Sequence, residues 1–259
     1  MPLLRRLFSD LFKIFSAKEY FQEAFGYTCI DAGEVAGKLG HDIGAQVFLK
    51  LRKPDLYPIE SKCLEYTEED LFDVVELLYD LVSKPVEGYY HQYCGCGWHY
   101  STFDQKNGRI EFQTAINELL YDYKEGYELS GDGEILASVE HGFEKLTYTQ
   151  LPEYDHDNIE KRVNAAILKF RRYRSSQEDR RDSIRDLADV LEFLRPKIKK
   201  VLTSKDEDDL FNIINNFGIR HHRENQKINY DKSIWYSWMF YYYLATIHAA
   251  LRLIKKCNS

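Results

Sequence analysis

The sequence predicts an α+β chain that is mainly helical, with a mixed N-terminal domain over residues 1–152 and a C-terminal four-helix bundle over residues 153–259. Three observations carry this expectation. Apolar residues recur at helical spacing through the second half. Tyr127–Ala137 reads as two short strands about a tight Gly131-Asp132-Gly133 turn. Charge is unevenly divided: residues 1–154 hold 14 Lys and Arg against 27 Asp and Glu (−13), and residues 155–259 hold 21 against 15 (+6). An acidic half joined to a basic half directs a polyanionic partner to the second half.

With 44 % hydrophobic and 30 % charged residues, the chain can bury a core, which excludes a disordered class. The start, Met1-Pro2-Leu3-Leu4-Arg5-Arg6-Leu7-Phe8, lacks a long apolar run and a small-residue cleavage site, so no signal peptide is expected. The five cysteines are an odd number, which favours reduced thiols and a cytoplasmic setting.

Residues 3–25 read as one or two amphipathic helices, with Leu4, Leu7, Phe8, Leu11, Phe12 and Phe15 on one face. Packing against the domain is favoured over lying on a membrane surface. Residues 26–53 carry five glycines but no phosphate-cradling GxGxxG or GxxxxGK pattern. Thr67-Glu68-Glu69-Asp70 resembles a capping box and opens a helix through Leu71, Val74, Val75, Leu78 and Val82, which Lys84-Pro85 ends. His91, Cys94, Cys96 and His99 offer zinc-binding atom types. Cys-x-Cys is shorter than the usual spacing, however, and no second pair lies downstream, so an aromatic-rich turn without metal is expected. A helix through Ile116, Leu119, Leu120 and Tyr123 precedes the hairpin. Around residues 147–157 the text turns polar, and the domain boundary is placed there.

The second half reads as four helices. Ile159, Val163, Ala166, Ile167 and Phe170 define the first, with Arg171, Arg172 and Arg174 among the basic residues on its polar side. The second runs from Ile184 to Val201 and contains Pro196, where a kink or break is expected. Ser204-Lys205-Asp206-Glu207 caps a third, ending at Phe217. The last spans about Lys232 to Lys256. Its segment Ile234–Leu251 has no Lys, Arg, Asp or Glu, but it holds Ser237, Thr246, His248 and four tyrosines. That composition favours the central member of a bundle over a membrane span.

Between the last two helices, Arg220, His221, His222 and Arg223 stand together, with Gln226 just beyond and Gly218 where a helix C-terminal glycine would sit. Arginine offers a permanent forked charge for phosphate, and histidine a proton mobile near neutral pH. Residues 155–259 resemble a HEPN domain, the helical bundle common in bacterial toxins and phage-defence proteins, through the helix pair, the short helix ending in Ile219-Arg220-His221 and the long apolar last helix. Residues 60–150 resemble the N-terminal domains of AbiJ-type abortive-infection proteins. There the matching text is Cys96-Gly97-Trp98-His99-Tyr100-Ser101-Thr102-Phe103, Asn117-Glu118-Leu119-Leu120, Gly126-Tyr127-Glu128-Leu129 and Gly133-Glu134-Ile135. The resemblance implies metal-independent RNA cleavage by 2′-hydroxyl attack, no cofactor, and protomers that pair. Arg220, His221 and His222 would be catalytic, and Arg171, Arg172, Arg174, Arg223 and Gln226 would bind RNA or a nucleotide. A module that only binds nucleic acid, a nucleotide or a protein stays open, because Asn225, Gln226 and Lys227 occupy the positions where the family's histidine falls after its arginine.

Overall fold

The computed structural model describes residues 1–202, 205, 210–212 and 231–258. The chain is mainly helical and divides into two compact units, Met1–Ser138 and Val139–Ser259. Recounted on these units, 13 Lys and Arg oppose 24 Asp and Glu in the first (−11), and 22 oppose 18 in the second (+4).

The first unit opens with α1 (Pro2–Ala17), which buries Leu4, Phe8, Phe12 and Phe15 as its periodicity requires. Phe12 stacks on Phe21 at 5.4 Å, and Phe15 meets Phe112 edge-on at 5.3 Å. The glycine-bearing region after α2 (Gln22–Phe25) contains an antiparallel hairpin of β1 (Gly26–Cys29) and β2 (Gly33–Ala36). Only glycine fits at position 26: φ is 78°, and a Cβ would lie 2.0 Å from the carbonyl oxygen of Val35. Two helices follow, α3 (Ile43–Leu51) and α4 (Ile59–Lys62).

Helix α5 (Glu68–Leu81) begins with the capping box: the Thr67 hydroxyl accepts from the Asp70 N–H, and the Asp70 carboxylate accepts from the Thr67 N–H. Lys53 binds the first two turns, lying 3.2, 3.0 and 2.9 Å from Glu69, Asp70 and Asp73. The longest strand pair was not legible in the sequence. It is the hairpin β3 (Lys84–His91), largely exposed, and β4 (Gly97–Asp104), mostly half-buried or buried. Helix α6 (Gln105–Tyr121) then leads to the expected hairpin, β5 (Tyr127–Leu129) and β6 (Ile135–Ala137). The Asn117 side chain bonds both the N–H (2.6 Å) and the carbonyl (3.2 Å) of Leu129, and Glu76 accepts from Ile135 N–H at 2.8 Å. These bonds lock the hairpin to the helices.

The second unit contains α7 (Glu144–Tyr148), a π-turn (His156–Glu160), α8 (Lys161–Arg171), α9 (Gln177–Val201) and α10 (Lys232–Asn258). Its core joins Val163, Phe170, Leu187, Leu191, Leu210, Phe211, Phe240, Tyr243 and Leu251. Phe170 stacks on Phe240 at 4.0 Å. Residues 139–151 belong here, so the observed division falls ahead of the expected boundary at 152. Val139, Leu146 and Leu151 pack on this core, and Phe143 stacks on Tyr241 at 4.1 Å. Pro196 lies within one continuous helix rather than at a break. Leu194 and Ile198, both buried, hold the backbone on either side of it. The expected third helix lies mostly outside the described residues. Among the described residues, no helix is long and apolar enough to cross a membrane.

Candidate metal centre

Four side chains with metal-binding atoms converge in the first unit: Cys29, His91, Cys96 and His99, whose donor atoms all lie within 4.8 Å of one another. Cys29 ends β1, His91 ends β3, Cys96 follows the turn and His99 lies on β4. The register pairs His91 with Gly97 and Tyr89 with His99. Side chains alternate along a strand, so Tyr89, His91 and His99 share one face and Tyr90, Trp98 and Tyr100 the other. Cys94, Gly95 and Gly97 adopt φ of 50°, 71° and 86°. This left-handed turn returns Cys96 to the histidine face and leaves Cys94 exposed.

The surroundings orient each donor. His99 is 2 % exposed; its Nδ1 lies 3.1 Å from the Tyr89 hydroxyl, and its Nε2 is buried without a partner. The ring is clamped between Tyr27, stacked at 4.2 Å, and Tyr89, edge-on at 5.1 Å. Burial, reinforced by Tyr89 and Cys29, pushes the Tyr27 hydroxyl above its usual range and keeps it a neutral phenol. His91 turns Nδ1 to Cys29 Sγ at 3.7 Å and Nε2 to the Asp31 carboxylate at 3.2 Å. The Ile30 N–H donates to Cys96 Sγ at 3.3 Å. Buried Gln22 grips β4 on both sides of His99: its amide donates to the Trp98 carbonyl at 2.9 Å and accepts from the Tyr100 N–H at 2.7 Å.

A cavity of about 340 Å³ opens beside β1 and β2, with Tyr27, Glu34 and His41 in its lining. Tyr27 is common to the cavity and the cluster.

Arg220, His221, His222, Arg223 and Gln226 lie outside the described residues. Arg172 and Arg174 are exposed at the α8–α9 junction, and the Arg174 guanidinium lies 5.0 Å from the centre of the Tyr173 ring. Arg171 departs from the expected exposed basic face. It is 5 % exposed, its guanidinium sits over the Tyr148 ring at 5.4 Å, and it donates to the Tyr148 hydroxyl at 3.3 Å. It anchors α7 to α8 instead of presenting charge to solvent.

Sequence reasoning found His91, Cys96 and His99 but missed Cys29, which stands 62 residues before His91. Tyr89/His91 and Gly97/His99 at strand period would have marked one face, but nothing local points to Cys29. Comparison with protein-family models, with curated proteins and with solved structures finds no match.

Proposed function

We propose that the second unit is a HEPN-like four-helix bundle that acts on RNA, in a bacterial defence protein of the abortive-infection type. Its chemistry would be metal-independent: the RNA 2′-hydroxyl attacks the adjacent phosphate, Arg220 steadies the developing charge, and His221 or His222 moves the proton. Arg172, Arg174 and Arg223 would hold the backbone, and two protomers would pool their sites. One observation supports this most. Leu210 and Phe211 on one side of the Arg220–His222 segment, and Tyr236 and Met239 on the other, are buried in a single helical core. The same unit, of net positive charge, carries Arg172 and Arg174 exposed at its surface.

A second reading, a bundle that binds RNA without cutting it, draws on the residues at 225–227, where the family's histidine is replaced by Asn225, Gln226 and Lys227.

The test is cleavage of a labelled single-stranded RNA by the full chain without added divalent cation. Arg220→Ala, or His221→Ala with His222→Ala, lowers the rate by about a hundredfold or more if these groups catalyse. If the chain only binds, no cleavage appears, and Arg172→Ala with Arg220→Ala weakens binding and flattens its salt dependence. Cleavage or binding unchanged in the triple variant Arg220→Ala, His221→Ala, His222→Ala refutes both.

A further inference from the structure

We infer that Cys29, His91, Cys96 and His99 form a closed zinc site that staples the two N-terminal hairpins together. This reverses the expectation drawn from the Cys94-x-Cys96 spacing. The Cys-x-Cys spacing concerns ligands within one turn of chain, whereas the assembled set omits Cys94 and recruits Cys29 from another hairpin.

The geometry fits a four-coordinate ion. With Zn–S about 2.3 Å and Zn–N about 2.0 Å, a Cys₂His₂ tetrahedron has donor–donor edges of about 3.3–3.8 Å. Cys29 Sγ and His91 Nδ1 are 3.7 Å apart, and no pair in the set exceeds 4.8 Å. Small inward rotations therefore complete the shell. Two thiolates and two neutral imidazoles balance the charge of Zn²⁺, so the centre can sit partly buried without a counter-ion; the two thiol protons leave to solvent.

The second observation is His99 Nε2. It is a ring nitrogen buried without a partner, on a side chain whose other nitrogen is engaged by Tyr89. Buried polar atoms lack partners rarely and for a reason. With Nδ1–H donating to Tyr89, Nε2 carries the free lone pair, and His99 contributes one ring nitrogen to the set whose donor atoms all lie within 4.8 Å of one another. Asp31 on His91, and the Ile30 N–H on Cys96, are the outer groups that orient and stabilise metal ligands. A disulfide between Cys29 and Cys96 would explain neither the orphaned nitrogen nor the Asp31 contact.

Four protein ligands leave no open position, so the site is structural rather than catalytic. It has a structural task. A lone two-stranded hairpin is marginal in water, and most of β3 and part of β4 are solvent-exposed. An ion held by β1, β3, the turn and β4 fixes both hairpins to each other.

The experiment is metal analysis of the full chain, expressed with zinc and purified without chelator. Wild type and Cys94→Ser should each carry one zinc per chain, whereas Cys29→Ser and His99→Gln should retain at least about tenfold less. Should those variants fail to fold, wild-type protein exchanged into cobalt(II) decides: intense ligand-field bands with thiolate charge transfer mark a tetrahedral S₂N₂ centre. Substoichiometric zinc together with an octahedral-type cobalt spectrum overturns the inference. So does zinc lost from Cys94→Ser but kept in Cys29→Ser, or a Cys29–Cys96 disulfide in freshly purified protein.

Discussion

Replacing Gln22 by alanine removes the clamp on β4. Gln22 is 5 % exposed and makes three hydrogen bonds: to the Trp98 carbonyl (2.9 Å), from the Tyr100 N–H (2.7 Å) and to Glu19 (3.1 Å). Each is worth about 1 kcal/mol net, and a partner left buried and unsatisfied costs more. The bond to the Trp98 carbonyl is only partly buried, so water recovers part of the loss there. The balance is a destabilisation of about 2 kcal/mol. For a unit of this size that lowers Tm by roughly 8 °C. The same bonds flank His99, so zinc affinity should fall by about tenfold through loss of ligand positioning. Urea unfolding followed by near-ultraviolet circular dichroism reads the first effect, and competition with a chromophoric chelator reads the second. A change below about 0.5 kcal/mol, the range of ordinary surface substitutions, would show that β4 is held by other means.

Other perturbations follow from the same packing. Lys53→Met removes the ammonium from Asp73, whose side chain is 7 % exposed, and should cost about 1–2 kcal/mol after allowance for partial solvation of the lysine; a neutral outcome in urea melts refutes a stabilising role for the Lys53 ion pairs. Burial raises the Asp70 carboxyl, but the Thr67 hydroxyl and Lys53 outweigh this and hold it below its usual range. Its stabilisation is therefore present above the unfolded-state pKa and lost as pH falls through the folded value, and Asp70→Asn should flatten the acid limb of the stability profile. His248 is depressed by burial and by Arg252. Stability of the second unit should therefore be full above the unfolded histidine value and decline as pH falls below it, with a slope that His248→Phe removes. Phe143→Ala should cost about 1–2 kcal/mol through loss of the ring stack on Tyr241, and no change would show that this stack does not tie the 139–151 segment to the second core.

What was legible in the sequence was local. The Thr67–Asp70 box, the α8 and α9 stripes and the Gly131-Asp132-Gly133 turn each encode their element within a few residues, and each was found where its pattern pointed. The β3–β4 hairpin escaped because little apolar side chain is buried along it to impose alternation: His99 is covered, but Tyr89, Tyr90 and Trp98 are all exposed. The unit boundary was misplaced because polar text at 147–157 marks surface, while Val139 and Leu146 commit their segment to the second core. Arg171 looked like a basic surface residue because charge is visible in sequence and the Tyr148 ring that covers it is not. Three donors of the candidate metal centre were visible locally; the fourth, Cys29, arrives only through the tertiary approach of β1 to β3.

X-ray absorption at the zinc edge of the purified full-length chain tests the centre most directly. A site built from Cys29, Cys96, His91 and His99 gives two sulfur neighbours at about 2.3 Å and two imidazole nitrogens at about 2.0 Å. A shell of oxygen and nitrogen alone, or one with a single sulfur, would contradict it.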